Sequence, residues 1–197
     1  MPRFIVLEGG DGAGKTTQAR LLAERLRADG HEVCELREPG GTRAGEELRR
    51  IVLDAALPLD ARAEALVFAA SRAQGMAEIV EPALARGAIV VADRSVISSL
   101  VYQGAVRELG VEQVRSINAF ALRGLEPDLV LLLDVRLEDA RARRGEAAGD
   151  RFEDESDEFA RRVLEAYREI CADAVVIDAH GDPEHVAEQV WEAVHAR

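Results

Sequence analysis

The feature that most constrains this chain is its glycine-rich octapeptide Gly9–Thr16. It matches the pattern G-x-x-x-x-G-K-[ST], in which backbone N–H groups surround phosphate oxygens. The apolar run Phe4–Leu7 before it predicts a buried strand, and leucines at helical spacing from Leu21 to Leu26 predict a helix after it. A phosphate loop needs this placement, because a helix N-terminus favours negative charge. The residues predicted to bind nucleotide phosphates are Gly9, Gly10, Asp11, Gly12, Ala13, Gly14, Lys15, Thr16 and Thr17.

Lysine is almost absent from the chain, and its one position lies in this loop. Of the 25 basic residues, all but Lys15 are arginine. A compact ammonium on a flexible stem suits the β- and γ-phosphates, so Lys15 is predicted to reach them. The Thr16 hydroxyl is predicted to hold Mg²⁺, as in other loops of this pattern. The alternative is a glycine-rich turn that matches by chance, and the position of the only lysine argues against it.

Apolar runs alternate with helical patterns along the whole chain, which predicts one domain over residues 1–197. Such alternation is typical of an α/β fold, with a parallel sheet and helices on both faces. Ligands of these sheets bind beyond the carboxyl ends of the strands, so the residues that follow each strand are candidate site residues. The predicted strands are Arg3–Glu8, Glu32–Arg37, Ala88–Ala92, Leu129–Val135 and Val175–Asp178.

Charged residues end the second and third predicted strands. Arg37 and Glu38 precede a Pro-Gly-Gly turn that would hold them over the sheet edge, and an ordinary loop is the alternative. Asp93 leaves an apolar strand beside a phosphate loop, where a carboxylate can bind Mg²⁺ directly or through water. Arg94 beside it can hold a phosphate through two parallel hydrogen bonds. A surface ion pair is the alternative for this pair of residues.

The segment Glu64–Glu78 is predicted to be a helix with a base-binding face. Phe68 and Arg72 are four residues apart, so they share one side of it. An aromatic ring can stack on a flat base while a guanidinium bonds the edge of that base. The alternative is one core residue and one surface residue.

Arginines gather after the fourth strand, in a segment of about residues 138–152. Arg143 and Arg144 adjoin Gly145, and arginines next to glycine suggest a short mobile lid that closes on phosphates. The alternative is a solvated amphipathic helix. In the helix predicted after this segment, we interpret the apolar stripe that includes Tyr167 as core packing.

Net charge and hydropathy limit the partners and the location of the chain. The formal net charge is −12, and nucleic-acid binding generally needs a basic surface, so no nucleic-acid partner is expected. No apolar run approaches the ~18 residues of a membrane span, and the first strand begins too early to leave room for a signal peptide. Cys34 and Cys171 are isolated and lack metal-ligand spacing. We therefore expect a cytoplasmic protein with no membrane partner.

Taken together, these motifs resemble the thymidylate kinase family, of the bacterial type, over nearly the whole chain. Arg37–Thr42 reads Arg-Glu-Pro-Gly-Gly-Thr and Tyr102–Gly104 reads Tyr-Gln-Gly, and both are fairly specific to that family. The resemblance implies a P-loop nucleoside-monophosphate-kinase fold with a five-stranded parallel sheet. It also implies a homodimer and Mg²⁺-dependent transfer of the ATP γ-phosphoryl group to dTMP, giving dTDP and ADP in dTTP synthesis.

By matched position, the resemblance implies roles around the deoxynucleoside. Asp11 would accept the sugar 3′-hydroxyl, and Tyr102 would lie against the sugar 2′ position. Phe68 would stack on thymine and Arg72 would bond its edge. The other residues implied to contact this part of the acceptor are Glu38, Ser99 and Gln103.

The resemblance also implies roles at the phosphates. Arg37 and Arg94 would hold the acceptor phosphate, and the stretch around Asp178 and Ala179 would pass near adenine. Family members usually carry an aromatic residue or histidine after the Asp-Arg pair, and here that residue is Ser95.

A catalytic arginine is placed by this family either in the phosphate loop or in the lid. The loop position directly after the acidic residue is Gly12 here, so the loop cannot supply an arginine. Arg144 is therefore the implied catalytic arginine, beside Lys15 and Arg94, and Arg143 is the second candidate. Both lid arginines are implied to bind ATP.

Three other functions are alternatives to a dTMP kinase. A deoxynucleoside kinase would use a hydroxyl acceptor, and Glu38 would be its general base. A GTP-dependent switch would need an Asn-Lys-x-Asp motif, which the sequence excludes because its only lysine is Lys15. A non-enzymatic nucleotide-binding module is the third possibility.

Overall fold

The computed structural model describes residues 1–144 and 156–196, and one sheet runs through them. Its strands are β1 (Phe4–Glu8), β2 (Val33–Arg37), β3 (Ile89–Asp93), β4 (Leu129–Asp134) and β5 (Val175–Asp178). All neighbouring strands pair in parallel, in the order β2-β3-β1-β4-β5. The predicted five-stranded parallel sheet is confirmed, and each strand end lies within one residue of its predicted position.

Helices fill the connections between the strands. They are α1 (Lys15–Ala28), α2 (Arg43–Leu53), α3 (Ala61–Gly75), α4 (Glu81–Ala85), α5 (Val96–Ser99), α6 (Val111–Leu122), α7 (Leu137–Arg144), α8 (Asp157–Ile170) and α9 (Pro183–His195). Two stretches wind as π-helix, Met76–Val80 after α3 and Leu100–Val106 after α5. Within the described residues, no helix is long and apolar enough to cross a membrane.

The central strands are buried on both faces, which explains why their sequences are uniformly apolar. Successive side chains of β1 point to opposite sides of the sheet. Ile5 and Leu7 join the cluster beneath α1 and α9, whereas Phe4 and Val6 join the cluster that includes Met76 of the first π-helix. A layer of core side chains therefore packs against each face of the sheet and fixes the position of its edge.

The helix predicted over Glu64–Glu78 begins earlier than expected. The Asp60 carboxylate accepts a hydrogen bond from the Arg62 N–H at 2.9 Å and caps the helix, so α3 starts at Ala61. At its far end α3 continues directly into the π-helix at Met76. Asp60, the acidic residue that precedes the apolar pattern, is the sequence signal for this earlier start.

Strand register brings the predicted site residues to one edge. Leu7 of β1 is level with Asp93 of β3, and Asp93 is level with Arg37 of β2. The phosphate loop after β1 therefore lies beside the residues that follow β2 and β3. This is the edge at which parallel sheets bind their ligands.

Candidate active site

A cavity of about 700 Å³ opens beyond the carboxyl ends of β1, β2 and β3. The predicted residues that line it are Asp11, Gly12, Ala13, Gly14, Lys15, Thr16, Thr17, Arg37, Glu38, Phe68, Asp93, Arg94, Tyr102, Gln103 and Arg143. Four other predicted residues lie outside this lining, namely Gly9, Gly10, Arg72 and Ser99. The fold thus gathers predicted residues from six separate segments around one space.

Lys15 begins α1 at the floor of the cavity. Its Nζ donates a hydrogen bond to the Gly10 carbonyl at 2.7 Å, and the residue is only 6% exposed. Burial, with the nearby Arg94 charge, lowers the pKa of Lys15 to about 8. Burial therefore outweighs the nearby carboxylates, and a phosphate group beside Lys15 would favour its charged form.

Thr16 and Asp93 meet beside Lys15. The Thr16 hydroxyl donates to Asp93 Oδ2 at 2.5 Å, and Asp93 is 7% exposed at the end of β3. A hydroxyl and a carboxylate are the hard oxygen donors that Mg²⁺ prefers. The two predicted metal-binding residues are thus close enough to share one ion.

Arg94 follows β3 with a backbone φ of 74°, in the left-handed region. An L-residue pays about 1–2 kcal/mol for this conformation, so neighbouring contacts must hold it. Arg94 Nη1 lies 3.1 Å from the Gly9 carbonyl, 3.0 Å from Ser98 Oγ and 2.8 Å from the Tyr167 hydroxyl. Nη2 bonds the Asp11 carboxylate.

Behind Arg94 lies a buried carboxylate that sequence reasoning missed. Glu8 ends β1 and is fully buried. It accepts hydrogen bonds from the Ser95 N–H at 2.8 Å, from Ser98 Oγ at 2.6 Å and from the Tyr167 hydroxyl at 3.2 Å. Burial raises the pKa of Glu8. Its only signal in the sequence was an acidic residue at the end of an apolar strand, directly before the phosphate loop.

Asp11 joins the loop to the opposite wall. Besides Arg94, its carboxylate accepts a hydrogen bond from the Tyr102 hydroxyl at 2.8 Å. The Tyr102 ring in turn packs against Phe159 and Tyr167 of α8, with both centroid distances at 6.2 Å. The loop, the second π-helix and α8 therefore meet around one carboxylate.

A family model described as thymidylate kinase matches residues 7–190. The chain belongs to the thymidylate kinase family. Among its relatives, a thymidylate kinase of Synechococcus sp. (strain JA-3-3Ab) is 46% identical, covering 98% of this chain and 96% of the relative. Another from Rhizorhabdus wittichii is 44% identical over 98% of this chain and 96% of the relative. A third, from Leifsonia xyli subsp. xyli, is 47% identical over 95% and 91%.

Membership in the family establishes the reaction class and the fold type. The chain is an ATP-dependent dTMP kinase of the P-loop nucleoside-monophosphate-kinase fold, which forms dTDP for dTTP synthesis. The predicted activity is confirmed, and the three competing functions are set aside. Membership in the family does not by itself show which residues of this chain perform the reaction.

Arg72 was predicted to bond the base edge, and its guanidinium is only 1% exposed. Nε donates to Glu38 at 2.7 Å, Nη1 to Ser99 Oγ at 3.2 Å and to Asn118, and Nη2 to the Ser95 carbonyl at 3.0 Å. Arg72 and Ser99 thus lie just behind the wall that Glu38 and Phe68 present. Burial raises the pKa of Glu38 even beside this guanidinium.

Ser95 and Gln103 are both almost fully buried. Ser95 is 1% exposed and lies outside the cavity lining, so its side chain faces the protein interior. Gln103 lines the cavity, and its Nε2 donates to Glu64 Oε1 at 2.9 Å. The glutamine amide is therefore oriented by a carboxylate at the start of α3.

Two arginines, the exposed Arg37 and the half-buried Arg49, line the cavity on the β2 side. Arg37 donates to Glu46 at 2.9 Å, with both side chains 46% exposed. Arg49 of α2 also lines the cavity and donates to the Pro39 carbonyl at 2.9 Å. Sequence reasoning missed Arg49, because no spacing rule distinguishes it from the other arginines of α2.

The far end of the cavity is formed by α7 and the loop after β5. Arg143 Nη2 donates to the Ala179 carbonyl at 2.7 Å and to the Gly181 carbonyl at 3.2 Å. The side chain of Arg144 and residues 145–155 lie outside the described residues, so the lid predicted over 138–152 is described only as far as α7.

The body of α7 packs onto the phosphate loop at Gly12. Gly12 has a φ of 82°, and a Cβ placed there would stand 2.2 Å from the Ala140 carbonyl oxygen. A side chain at position 12 would therefore collide with α7 in its observed position.

Proposed function

We propose that ATP binds along the phosphate loop and that dTMP binds between Phe68 and Tyr102, so that the two phosphate groups meet at Lys15 and Arg94. One observation carries this arrangement. Lys15 and Arg94 flank a single turn of the loop, with Lys15 Nζ on the Gly10 carbonyl and Arg94 Nη1 on the Gly9 carbonyl. Two cations fixed on adjacent carbonyls favour two phosphates brought face to face.

The acceptor needs no general base in this arrangement. A monophosphate is already an anionic nucleophile, so the protein contributes position and neutralisation of charge. Arg94 orients the acceptor phosphate through charge-assisted hydrogen bonds, and Arg37 approaches it from the rim. Lys15 faces the β- and γ-phosphates of ATP.

Mg²⁺ is the metal that fits the donor set of Thr16 and Asp93. These residues contribute only oxygen ligands, which leaves the other positions of an octahedral ion to phosphates and water. When bound, the ion would neutralise charge on the phosphate oxygens. The Thr16–Asp93 hydrogen bond supports this assignment, because it places a hydroxyl oxygen and a carboxylate oxygen side by side, where both could contact one ion.

The deoxynucleoside is held by the opposite wall. Phe68 stacks on thymine, Gln103 presents its amide beside the base, and Tyr102 occupies the space next to the sugar. Asp11 receives the 3′-hydroxyl by exchanging part of its contact with Arg94 or Tyr102. Arg72, Ser99 and Glu38 form one hydrogen-bonded group, in which Arg72 orients Glu38 at the cavity surface.

The two lid arginines, Arg143 and Arg144, contact different parts of ATP. Arg143 is tethered to the Ala179 and Gly181 carbonyls, on the side where the purine would lie. Arg144, the next residue, stabilises the charge of the transferring phosphoryl group. The Gly12–Ala140 contact supports this division, since it excludes an arginine from the loop.

A second copy of the chain is the partner proposed for the outer face of α3 and α6. Phe120 is 88% exposed, Leu66 is 56% exposed and Ile51 on α2 is 40% exposed, and these helices pack side by side. Large apolar residues grouped in this way mark interaction surfaces. Analytical ultracentrifugation should show a dimer that Phe120→Glu dissociates, and a wild-type monomer would contradict the proposal. We place the homodimer in the cytoplasm, without nucleic-acid partners.

A screen of acceptors tests the proposed site. With ATP and Mg²⁺, a coupled assay should show turnover of dTMP and none of thymidine. Lys15→Ala should abolish this turnover, because no other lysine can replace it. Substantial activity of Lys15→Ala would contradict the placement of ATP on the loop, and activity on thymidine would contradict the acceptor geometry.

A further inference from the structure

Tyr167 is the one contact of Arg94 that comes from helix α8. The tyrosine is 1% exposed and does not line the cavity, so it cannot serve as a ligand to the nucleotides. Its hydroxyl nevertheless lies 2.8 Å from Arg94 Nη1. The apolar stripe of α8 accounts for the ring of Tyr167, but it does not account for this hydroxyl.

The hydroxyl is held from behind by the buried carboxyl group of Glu8. Tyr167 accepts from Arg94, and its own proton is shared between Ser98 Oγ at 2.8 Å and Glu8 Oε2 at 3.2 Å. Ser98 also donates to Glu8, at 2.6 Å. Glu8 and Arg94 are thus joined by two hydroxyl groups, and Arg94 Nη1 is turned towards the protein interior.

This orientation decides which donors of Arg94 remain for a ligand. Nη1 is occupied by Gly9, Ser98 and Tyr167, and one N–H of Nη2 is directed at Asp11. A guanidinium is a rigid planar fork, so fixing Nη1 also fixes the plane of Nε and Nη2. These two nitrogens form the edge that binds a phosphate through parallel hydrogen bonds.

We infer that Tyr167 is a positioning residue for the acceptor phosphate, because its hydroxyl, backed by Glu8 and Ser98, sets the plane of the Arg94 guanidinium. The inference rests on the proposed function, in which Arg94 holds the phosphate of dTMP. It assigns a role in phosphate recognition to a residue outside the cavity.

The variant Tyr167→Phe removes only the hydroxyl. The ring remains, and so does its edge-on packing against Tyr102, with an 80° interplanar angle. Val163→Ala is the matched control, because Val163 lies one turn earlier on α8, is 3% exposed and belongs to the same apolar cluster. Both variants disturb this cluster, but only Tyr167→Phe alters the contact with Arg94.

Calorimetric binding of dTMP and of thymidine distinguishes positioning from packing. Tyr167→Phe should weaken dTMP about tenfold, the loss expected for one hydrogen bond to a charged group, and should leave thymidine within about twofold. Val163→Ala should leave both affinities within about twofold while lowering Tm. Equal weakening of dTMP and thymidine by Tyr167→Phe, or no weakening, would overturn the inference.

Glu8→Gln provides a second route if Tyr167→Phe is poorly folded. It preserves the shape of the side chain while removing one of the two carboxyl oxygens that accept hydrogen bonds here, and it should weaken dTMP at least about threefold without affecting thymidine. Loss of affinity for both ligands, or for neither, contradicts the inference here as well.

A double-mutant cycle separates this inference from the proposed function. In an Arg94→Ala background, Tyr167→Phe should cause no further loss of dTMP affinity, because the group that it positions is gone. If Arg94→Ala leaves dTMP binding unchanged, the proposed role of Arg94 is wrong. If Arg94→Ala weakens dTMP and Tyr167→Phe does not, only the positioning role is wrong.

Discussion

The arginine beside β3 and the arginine on α7 lie at opposite ends of the same cavity and are held in different ways. The Arg94 side chain is 16% exposed and contacts the phosphate loop, α5 and α8. Arg143 is exposed, and two backbone carbonyls hold one of its nitrogens. The Arg94 guanidinium is thus held by contacts with three elements, whereas the Arg143 guanidinium lies on the protein surface.

This difference indicates when each arginine is ordered. Immobilising a long side chain on binding costs about 0.5–1.5 kcal/mol, and Arg94 bears this loss during folding. A cation that is already fixed contacts the phosphate as soon as the substrate binds. Arginines that move into place can instead reserve their contact for the transition state. We therefore expect Arg94 to govern dTMP recognition and Arg144 of α7 to govern turnover.

The largest effect is expected at the α7 end. Arg144→Ala should lower kcat about 10³-fold or more with little change in the KM for dTMP, because its contact forms chiefly in the transition state. Arg143→Ala, measured beside it, should mainly raise the KM for ATP. If both variants keep kcat within about twofold, α7 carries only a solvated helix face and the comparison fails.

Arg94→Ala should have the next largest effect. Loss of charge-assisted hydrogen bonds worth ~1.5–3 kcal/mol should lower kcat/KM for dTMP about 10- to 100-fold. Arg20→Ala is the control, since Arg20 is 56% exposed and pairs with Glu24 on the same helix. Unchanged kinetics for Arg94→Ala would make Arg94 part of a structural ion pair with Asp11.

Gly12→Ala tests whether α7 must sit on the phosphate loop. Both Gly12→Ala and Gly30→Ala place a side chain at a positive φ, but nothing stands within 4 Å of a Cβ at Gly30. The clash with Ala140 should cost a further ~1–3 kcal/mol, lowering Tm by ~2–4 °C per kcal/mol. We expect kcat to fall about tenfold for Gly12→Ala alone. Equal behaviour of the two variants would show that α7 shifts freely.

The smallest effect concerns the sugar. Tyr102→Ala should improve the use of ribothymidine monophosphate relative to dTMP at least about fivefold, since a 2′-hydroxyl beside the ring is buried without a partner at ~1–3 kcal/mol. Tyr102→Phe keeps the ring and should keep the deoxyribose preference. A constant ratio of the two activities in Tyr102→Ala would place the discrimination elsewhere.

The sheet could be predicted from the sequence, because its signals are local. Each strand is a short apolar run ended by a charged or glycine-containing stretch, and the phosphate loop identifies the first strand and the first helix. The order of the strands and their register depend on pairing between distant segments. The level positions of Arg37 and Asp93 therefore became known only from the structure.

The position of a residue at the cavity could be predicted where its type and motif are characteristic of phosphate or metal binding, as with Lys15 and Asp93. It was not predictable where chemistry depends on what lies behind a side chain. Tyr167 fits an apolar stripe, and nothing in the stripe shows that its hydroxyl reaches Arg94. Glu8 was hidden for the same reason, since β1 is otherwise apolar and only the tertiary fold brings Ser98 to it.

Because Lys15 is the only lysine, the phosphate loop carries the only side-chain amine of the sequence. Its pKa of about 8 leaves a substantial fraction uncharged in mildly alkaline buffer, and uncharged amines are nucleophiles. An amine-directed acylating reagent can therefore modify just one side chain, and bound ATP would cover it. Acylation of Lys15, measured by mass spectrometry on the unmodified sequence, would therefore report whether the nucleotide site is occupied.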